Sequence, residues 1–578
     1  MGRPNAGYAS GAGAMTANGS AILTRAHDAT FVEQCSWSTL QERLPLRWPT
    51  PPDTPPSPKH AYRSHYVYPG GEDLRDPAAW EHLSDFDLVL RLVDFTGLRP
   101  VLAHRLGWTS ARGWCPFDPL SLFLLCGWQI THRWPRTQAL QHLRQPRYAD
   151  YAHCFGFADG VYPTEGGVRY FLTALGQHSA TGATVTVADH EQTYTVAIQY
   201  LNQLLAGAIQ LILDAGLLSP AAWTQALVCP DGMIHAAAAR LRCTAVQDSC
   251  YQPPTPEAPR PCPAKEKGHQ GCTCATVACR PACQYATPRD AAARYVWYEG
   301  RNQAPTSPNR ATDPAQQTKP RGQGHYGYRS LPLLLADPAR RFHLTLLADF
   351  QPANAREEVP AAALVQQLPL FYPDLHLDAF VGDAGFGYDV ILHTVYQQGG
   401  RRIVDLRHHP ADDDKSQWPV RGYDDQGRPI CPFGYALTAN GFDQLRQRHK
   451  WCCQQACLHG HPPAVQLADV AYPPPECPYQ AADHPHGRIL NVGERFADGS
   501  SRLVRDLPVG TPTWKRLYHQ ARNASEGRHA TLEGWGLKRL PVYGAPRGRA
   551  LIALADTWAT LTTLARLVRE ATHAAYCI

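Results

Sequence analysis

The sequence has no long uninterrupted apolar run, and this shortage bears first on membranes. A membrane-spanning helix needs about 20 consecutive, predominantly apolar residues. The N-terminus is rich in Ala, Gly and Ser and has no apolar core of the kind that secretory signals carry. We therefore expect a cytoplasmic protein with no membrane partner.

The sequence also has little net charge. Its 55 Lys and Arg against 50 Asp and Glu give +5 at pH 7, with a pI near 8.4. A balance this mild does not indicate nucleic-acid binding by itself. Arginine greatly outnumbers lysine, which suits bidentate phosphate contacts but is also typical of proteins from GC-rich genomes.

Cysteine and proline, by contrast, are abundant. The 18 Cys are clustered and follow no secretory signal, which indicates reduced thiols, some of them bound to metal. The 51 Pro and 45 Gly predict long loops. Residues 1–60 are small, polar and then Pro-rich, which is typical of a disordered tail without a core.

Three acidic residues stand where a site could form. Asp231 and Asp383 each end an apolar, strand-like run, and Glu526 lies in a polar helical stretch. Arg522 precedes Glu526 by four residues, so the two share a helix face and in isolation predict a helix salt bridge. Two strand-end aspartates and one helix glutamate could also converge on divalent metal, because Mg²⁺ takes carboxylate oxygens. His235, close to Asp231, is expected to be a structural histidine.

Apolar runs and turn signals predict alternating strands and helices in the second half of the chain. The predicted strands cover about 225–230, 326–335, 342–349, 377–382 and 402–406. The predicted helices there cover 359–368 and 388–398, before the polar helix that holds Glu526. Elsewhere, helices are predicted over 85–96, from Asp118-Pro119 to Ile130, from Pro163 to Leu172, over 194–218 with an end at Gly216, and over 548–575.

Asp231-Gly, Gly-Asp383-Ala-Gly-Phe and Tyr518…Arg522-x-x-x-Glu526, in this order, resemble a DDE transposase of a bacterial insertion sequence. The resemblance runs from about residue 65 to the C-terminus and is to the group with a Tyr-Arg-Glu-Lys-like motif. It departs from that pattern at Met233, where Thr is common, in the three residues between Tyr518 and Arg522, and at Glu533, where Lys is expected.

The resemblance implies an α/β fold, namely an RNase H-like mixed sheet with helices, in which Asp231, Asp383 and Glu526 are catalytic and bind Mg²⁺ or Mn²⁺. It implies cleavage at the element ends and strand transfer into target DNA. The partners would be double-stranded DNA, both terminal inverted repeats and target, and a second copy of the chain in the active complex. It also implies a bacterial, nucleoid-associated protein.

Residues for DNA contact follow from the same resemblance. Arg522 could orient Glu526 or contact a phosphate, and Lys538 and Arg539 would bind the DNA end. A basic helical stretch near the N-terminus would meet phosphates through Arg133, Arg136, Arg144 and Arg147. The alternative for that stretch is a solvated basic face on an ordinary helical bundle.

The predicted domain organisation has five parts. A tail (1–60), a helical DNA-binding domain (61–182) and a connecting helix (183–222) precede the catalytic domain (223–546), and a C-terminal helix (547–578) follows. Two Cys-bearing insertions interrupt the catalytic domain, at about 240–322 and 407–512.

The insertions carry two candidate zinc sets. One comprises Cys272, Cys274, Cys279 and Cys283, and the other Cys431, Cys453, Cys457 and Cys477. Thiolate clusters of this kind can hold tetrahedral Zn²⁺. Unligated thiols in the first insertion, and a loop stabilised by packing in the second, remain the alternatives.

Two other functions remain open on the sequence. The chain could be a catalytically inactive, transposase-derived protein that only binds DNA, or an RNase H-like nuclease that cuts but does not join strands.

Overall fold

The computed structural model describes most of the chain outside the N-terminus and the larger loops. The described residues are 44–46, 80–106, 117–157, 161–177, 184–187, 192–239, 241–243, 286–288, 290–298, 323–337, 342–405, 420–424, 428–446, 448–472, 474, 477, 487, 489–493, 507 and 509–576. Almost all of the predicted tail and of the first insertion lie outside them. The fold is mixed α/β with a mixed sheet, as the sequence predicts at this level.

The N-terminal third is mainly helical. Its helices are α1 (Asp85–Leu92), α2 (Leu98–Arg105), α3 (Pro119–Thr131), α4 (Arg136–His142), α5 (Ala149–Cys154) and α6 (Glu165–Gln177). The predicted start of α3 is confirmed, because the Asp118 side chain accepts a hydrogen bond from the Leu120 amide at 2.9 Å, with Pro119 at the first helical position. The helix predicted over 85–96 is shorter, since Val93–Asp94 (β2) pairs with Leu44–Pro45 (β1).

The segment predicted as one connecting helix contains two strands and two helices. These are β3 (Thr184–Val187), β4 (Gln192–Thr195), α7 (Gln199–Asp214) and α8 (Pro220–Thr224). The prediction of a helix from Tyr194 was wrong at its start, because Tyr194 pairs within the β3–β4 hairpin. Its predicted end is correct, and Gly216 adopts a φ of 65°, a left-handed conformation that glycine tolerates.

A seven-stranded mixed sheet forms the centre of the molecule. Its strands are β5 (Ala226–Pro230), β6 (Met233–Ala236), β9 (Arg294–Tyr298), β10 (Gln323–Asp337), β11 (Phe342–Pro352), β12 (Leu377–Gly382) and β13 (Arg401–Val404). The main order is β11-β10-β5-β12-β13, and β6 and β9 also pair with the long β10. Strand β10 is antiparallel to its partners, whereas β5, β12 and β13 run parallel. All five strands predicted from the sequence are present, and β12 has the predicted bounds.

Helices cover the sheet and tie it to the N-terminal third. They are α9 (Glu358–Phe371), α10 (Asp389–Gln397), α11 (Pro512–Gly534) and α12 (Ala545–Tyr576). One apolar core cluster includes residues of the N-terminal helices, the sheet and α12. Over Ala545–Thr572, α12 is long and apolar enough to cross a membrane, yet 89% of that apolar window is buried inside the protein. Burial of this kind is what the core helix of a globular protein shows.

The insertions contribute small separate sheets. The first insertion adds an antiparallel pair of β7 (Leu241–Cys243) and β8 (Ala286–Pro288). The second adds the hairpin of β14 (Gly422–Tyr423) and β15 (Pro429–Ile430), and a three-stranded sheet. That sheet has β16 (Thr438–Asp443), β17 (Arg448–Cys452) and β18 (Ile489–Gly493), with β17 in the middle.

Candidate active site

Asp231 lies at an interruption in the ladder along β10. Pro230 pairs with Leu333 and Met233 pairs with Ser330 in the same register, so Asp231 and its neighbour Gly232 stand opposite Pro332 and Leu331. Proline has no amide hydrogen and cannot donate to the ladder. The pairing therefore stops between β5 and β6, and the Asp231 carboxylate is presented at the end of β5.

Asp383 follows β12, the parallel neighbour of β5, so both aspartates lie at the same edge of the sheet. The Asp383 carboxylate caps a short 3₁₀ turn and accepts a hydrogen bond from the Gly385 amide at 2.8 Å. Burial raises the pKa of Asp383, and the nearby Asp231 raises it further. Asp405, which follows the next parallel strand β13, also raises the pKa of Asp383. Three aspartates that each follow a parallel strand therefore lie at this edge of the sheet.

Helix α11 brings Arg522 to this edge. Its guanidinium Nη1 lies 3.0 Å from Asp231 Oδ2. Burial raises the pKa of Asp231, and the positive charge of Arg522 opposes that rise. The sequence alone favoured a pair between Arg522 and Glu526, but the structure pairs Arg522 with Asp231. The guanidinium neutralises one of the crowded carboxylates across an interface between helix and sheet.

Glu526 lies one helical turn beyond Arg522 and its side chain is exposed. Ser525, next to it, is buried against the sheet edge and contributes a hydrogen bond to Asp231. Within the part of the chain that the structure describes, no three His, Cys, Asp or Glu side chains are grouped closely enough to hold a metal ion. The structure thus brings Asp231 and Asp383 together but does not bring the Glu526 side chain into contact with them.

Glu357 is a further acid at the site that the sequence did not single out. It precedes α9, and its Oε1 lies 2.9 Å from Arg329 Nε. A Cβ on Gly232 would overlap Glu357 Oε1, so in its present position the Glu357 carboxylate packs directly against the backbone after Asp231. Burial raises the pKa of Glu357 to about 7, with Arg329 opposing the shift and Asp383 and Asp231 adding to it. No sequence signal marks Glu357, because its approach depends on how α9 crosses the sheet edge.

Tyr518 completes the wall of the site on α11. Its ring stacks on Trp514 with the centroids 4.5 Å apart. Burial raises the pKa of Tyr518 to about 12, and Asp405 and Asp383 add to the rise. The phenol is therefore a neutral hydrogen-bonding group next to the acidic edge.

Behind the site, a buried polar network fixes the position of α11. Arg528 donates from Nε and Nη2 to the two Asp556 oxygens, both at 2.8 Å, and also contacts Ser330 Oγ. His235 Nδ1 lies 2.7 Å from the Leu537 carbonyl, and its Nε2 lies 2.8 Å from Ser330 Oγ. Burial lowers the pKa of His235 to about 3. The neutral ring then donates to Leu537 and accepts from Ser330, so His235 is structural, as expected.

The predicted DNA-contacting arginines of the N-terminal third differ in their surroundings. Arg136 donates to Glu165 Oε1 at 2.9 Å and is largely covered. Arg133, Arg144 and Arg147 are exposed, and the Arg147 guanidinium lies 4.8 Å from the centre of the Tyr148 ring. The structure thus presents three of these four arginines to solvent.

The predicted bases after α11 are also exposed. Lys538 forms an ion pair with Glu533 at 2.6 Å, and the backbone of Arg539 forms a bridge to Ala236 next to β6. They lie near the C-terminal end of α11, where the Arg133 guanidinium approaches Gly534. Basic residues from distant parts of the sequence therefore meet at this end of the helix.

The structure describes one of the two candidate cysteine sets and not the other. Cys431, Cys453, Cys457 and Cys477 are described and carry reduced thiols. Cys272, Cys274, Cys279 and Cys283 lie outside the described residues. The Cys-bearing second insertion stands between β13 and α11 in sequence.

The composition of the sheet edge fits a divalent cation. Asp231 and Asp383 are carboxylates held side by side under burial, and each has a raised pKa. A hard cation would stabilise their ionised forms. Glu526, the third acid of the predicted set, forms no hydrogen bond or ion pair with either aspartate in the described chain and is exposed on the neighbouring helix. No protein-family model matches this chain, and no curated protein is found to be similar to it.

Proposed function

We propose that the protein is a DDE-type DNA transposase with an RNase H-like catalytic domain. The observation that carries the proposal is the meeting of Asp231 and Asp383 at the ends of adjacent parallel strands, with Arg522 of the late helix α11 on Asp231. The strand order β11-β10-β5-β12-β13 supports it, because β11, β10 and β5 pair antiparallel and β5, β12 and β13 pair parallel, which is the arrangement expected of such a domain.

Asp231, Asp383 and Glu526 would hold Mg²⁺ or Mn²⁺. When bound, such ions stabilise the attacking and leaving oxygens of a phosphodiester during in-line displacement. Water cleaves the phosphodiester at the element end and frees a 3′-OH. That 3′-OH then attacks a phosphodiester of the target DNA, so one site can serve both reactions.

The chain's own residues have separable tasks in this proposal. Arg522 holds Asp231 in place through a charged hydrogen bond. The neutral Tyr518 phenol borders the path of the substrate beside Asp383 and Asp405. The exposed bases Arg133, Arg144, Arg147, Lys538 and Arg539 would contact DNA phosphates. The exposed position of Glu526 leaves it accessible to both metal and DNA.

A cleavage assay with a matched pair of variants tests the proposal. The substrate is duplex DNA carrying the inverted repeats that flank the gene, with Mg²⁺ or Mn²⁺. We expect the wild type to cleave and Asp383→Asn to lose cleavage by at least about 10³-fold, because one member of the carboxylate pair is gone. Asp378→Asn is the control, since Asp378 lies on the same strand and pairs with Arg401 away from the site.

Each outcome of the assay selects a function. Cleavage followed by joined products supports a transposase, whereas cleavage without joined products supports a nuclease. Specific DNA binding without cleavage at any metal concentration supports the DNA-binding descendant. Equal cleavage by the wild type and Asp383→Asn would show that the site lies elsewhere.

A further inference from the structure

The second insertion forms a small module with little apolar core. Its described residues form one hairpin and one three-stranded sheet, and several of its apolar residues are exposed, including Phe442, Leu445 and Leu458. Among its described residues, the buried apolar side chains include Ile430, Tyr435, Leu437, Trp451 and Leu467. A unit this small rarely folds on hydrophobic burial alone and usually needs a cross-link or a metal.

The four cysteines of this module approach one another. Cys431 is buried, and Cys453, Cys457 and Cys477 are half-buried. Cys453 and Cys477 lie within electrostatic range of Cys431, and Cys457 and Cys431 both lie within electrostatic range of the Tyr435 phenol. The Cys431 amide donates to the Tyr435 carbonyl at 2.9 Å. Residues up to 46 positions apart in sequence are thus gathered on one side of the module.

Two of these sulfurs accept backbone hydrogen bonds in the same local geometry. The Phe433 amide donates to Cys431 Sγ at 3.4 Å, and the Gln455 amide donates to Cys453 Sγ at 3.3 Å. In both cases the donor is two residues after the cysteine. The two cysteines therefore lie in turns of the same kind, each with a backbone N–H directed at its sulfur. A core packed only by apolar contact has no need of them.

The backbone around these sulfurs is held in costly conformations. Gln455 has a φ of 53°, and among described non-glycine residues only Arg133 shares such a positive value. A side-chain-bearing residue in this region costs about 1–3 kcal/mol and marks a constrained site. A Cβ on Gly487 would overlap the Cys453 carbonyl, so the backbone at Gly487 packs closely against the backbone at Cys453.

We propose that Cys431, Cys453, Cys457 and Cys477 bind one structural Zn²⁺ in tetrahedral geometry. Four thiolates suit Zn²⁺, and a site with all four positions filled by protein has no place for a substrate. Within the described residues no three ligating side chains are grouped closely enough to hold a metal ion, so the proposal requires the sulfurs to move closer together when Zn²⁺ binds. Cys452 is excluded, because its thiol faces the Cys453 carbonyl at 3.6 Å.

The metal would stabilise the start of the helix that holds Arg522 and Glu526. The Val509 amide donates to the Arg421 carbonyl, and the Ala468 amide donates to the Gly510 carbonyl. Arg421 also pairs with Asp469 at 2.9 Å. Helix α11 begins directly after these contacts, with the Thr511 side chain as its N-cap. The module is therefore the support on which α11 begins.

Site-resolved thiol alkylation of the full-length chain tests this proposal without DNA or activity. The protein is treated with iodoacetamide after chelator treatment, with and without added Zn²⁺, and each cysteine is followed by peptide mass spectrometry. We expect Zn²⁺ to slow the alkylation of Cys453, Cys457 and Cys477 by at least about tenfold, because metal-bound thiolates are withdrawn from the alkylating reagent. Cys452 is the internal control and should react equally in both states. Unchanged rates at Cys453, Cys457 and Cys477 would overturn the proposal.

Metal content provides a second, independent measurement. Cys453→Ser and Cys477→Ser should each bind one Zn²⁺ fewer per chain than the wild type, and Cys452→Ser should bind the same number. Each variant is compared with the wild type, because the first insertion could bind zinc of its own through Cys272, Cys274, Cys279 and Cys283. A Cys453→Ser protein that keeps the wild-type zinc content would contradict the assignment.

Discussion

At the scale of single residues, several buried carboxylates lie close together at the sheet edge and shift one another's pKa values. Glu357, Asp231 and Asp383 all have raised pKa values, chiefly because burial disfavours their charged forms. Arg329 pairs with Glu357, whereas Arg522 pairs with Asp231 and also opposes the rise in the pKa of Asp383. Burial and crowding therefore both favour the uptake of a proton or a cation at this edge.

Glu357 gives this uptake a measurable signature in the absence of metal. Its folded pKa of about 7 exceeds the ordinary value of 4.5, so between those values the folded state binds more protons than the unfolded state. Stability should fall as pH rises through that window, by about 3 kcal/mol at most from this group. We expect urea unfolding in EDTA to show a smaller fall in Glu357→Gln than in the wild type. Glu358→Gln, one residue on and paired with Arg356, is the control; equal slopes in the wild type and Glu357→Gln would contradict the assignment.

The sequence predicted some of these residues and not others, for a physical reason. Asp231 and Asp383 were identifiable because each ends an apolar run, and strand ends are local features. The partner of Arg522 was not, since the i,i+4 rule describes an isolated helix and α11 is packed against the sheet. Glu357 and Asp405 meet the site only through tertiary contacts, which leave no local pattern.

At the scale of elements, the position of α11 depends on a fully buried ion pair. Arg528 and Asp556 have side-chain exposures of 2% and 0%. Arg528→Met should destabilise the protein by about 3–5 kcal/mol, because it leaves the Asp556 carboxylate buried without a partner. The double variant Arg528→Met with Asp556→Leu should recover most of that loss, as measured by urea unfolding.

A surface pair provides the comparison for this cycle. Arg169 and Glu165 lie 3.6 Å apart with exposures of 47% and 38%, and Arg169→Met should change stability by less than about 1 kcal/mol. If Arg528→Met is as mild as Arg169→Met, the buried network does not hold α11 in place.

The packing of α6 on α12 gives a second prediction at this scale. A Cβ at Gly176 would overlap the Pro546 carbonyl of α12, whereas a Cβ at Gly167 on the same helix would be 3.7 Å from its nearest neighbour. Gly176→Ala should therefore destabilise by about 3 kcal/mol through overpacking. Gly167→Ala should stabilise by about 0.5–1 kcal/mol, because alanine favours the helix. Thermal unfolding of the two variants checks both signs, and a Gly176→Ala protein as stable as the wild type would disprove the close approach.

Element types were predictable here, and element partners were not. The bounds of β12 and the start of α3 follow from an apolar run and from an Asp-Pro cap. Strand β6, only four residues long, and β9, which returns from the first insertion, pair with β10 across large sequence separations. No local periodicity reveals such pairing, because the stabilising hydrogen bonds come from a distant strand.

At the scale of the whole molecule, the N-terminal helices and the sheet share one apolar core. Trp558 of α12 stacks on Phe123 of α3 at 5.5 Å, and it also meets Phe86 of α1 and Phe95. Gly127 leaves the space that the Trp558 ring occupies. Arginines on the N-terminal helices are thus attached firmly to the part that holds Asp231 and Asp383.

This attachment makes the exposed arginines relevant to DNA binding, and salt dependence measures their part. Each phosphate contact contributes about 0.9 to the slope of log K against log salt for duplex DNA. Replacing both Arg144 and Arg147 by Gln should therefore lower the slope by about 1.8 in fluorescence anisotropy over a salt series. Arg136→Gln should leave the slope nearly unchanged, because Arg136 is already paired with Glu165.

The comparison separates two explanations of the same basic surface. If Arg144 and Arg147 only form a solvated face, replacing both changes the net charge by two. The salt slope of the double variant then equals that of Arg136→Gln. If they contact phosphates, the salt slope of the double variant is lower than that of Arg136→Gln by about 1.8, which corresponds to nearly two released counterions. The two proteins should still have the same melting temperature. The slope depends on contacts with DNA and not on catalysis, so it tests this surface even in a variant such as Asp383→Asn.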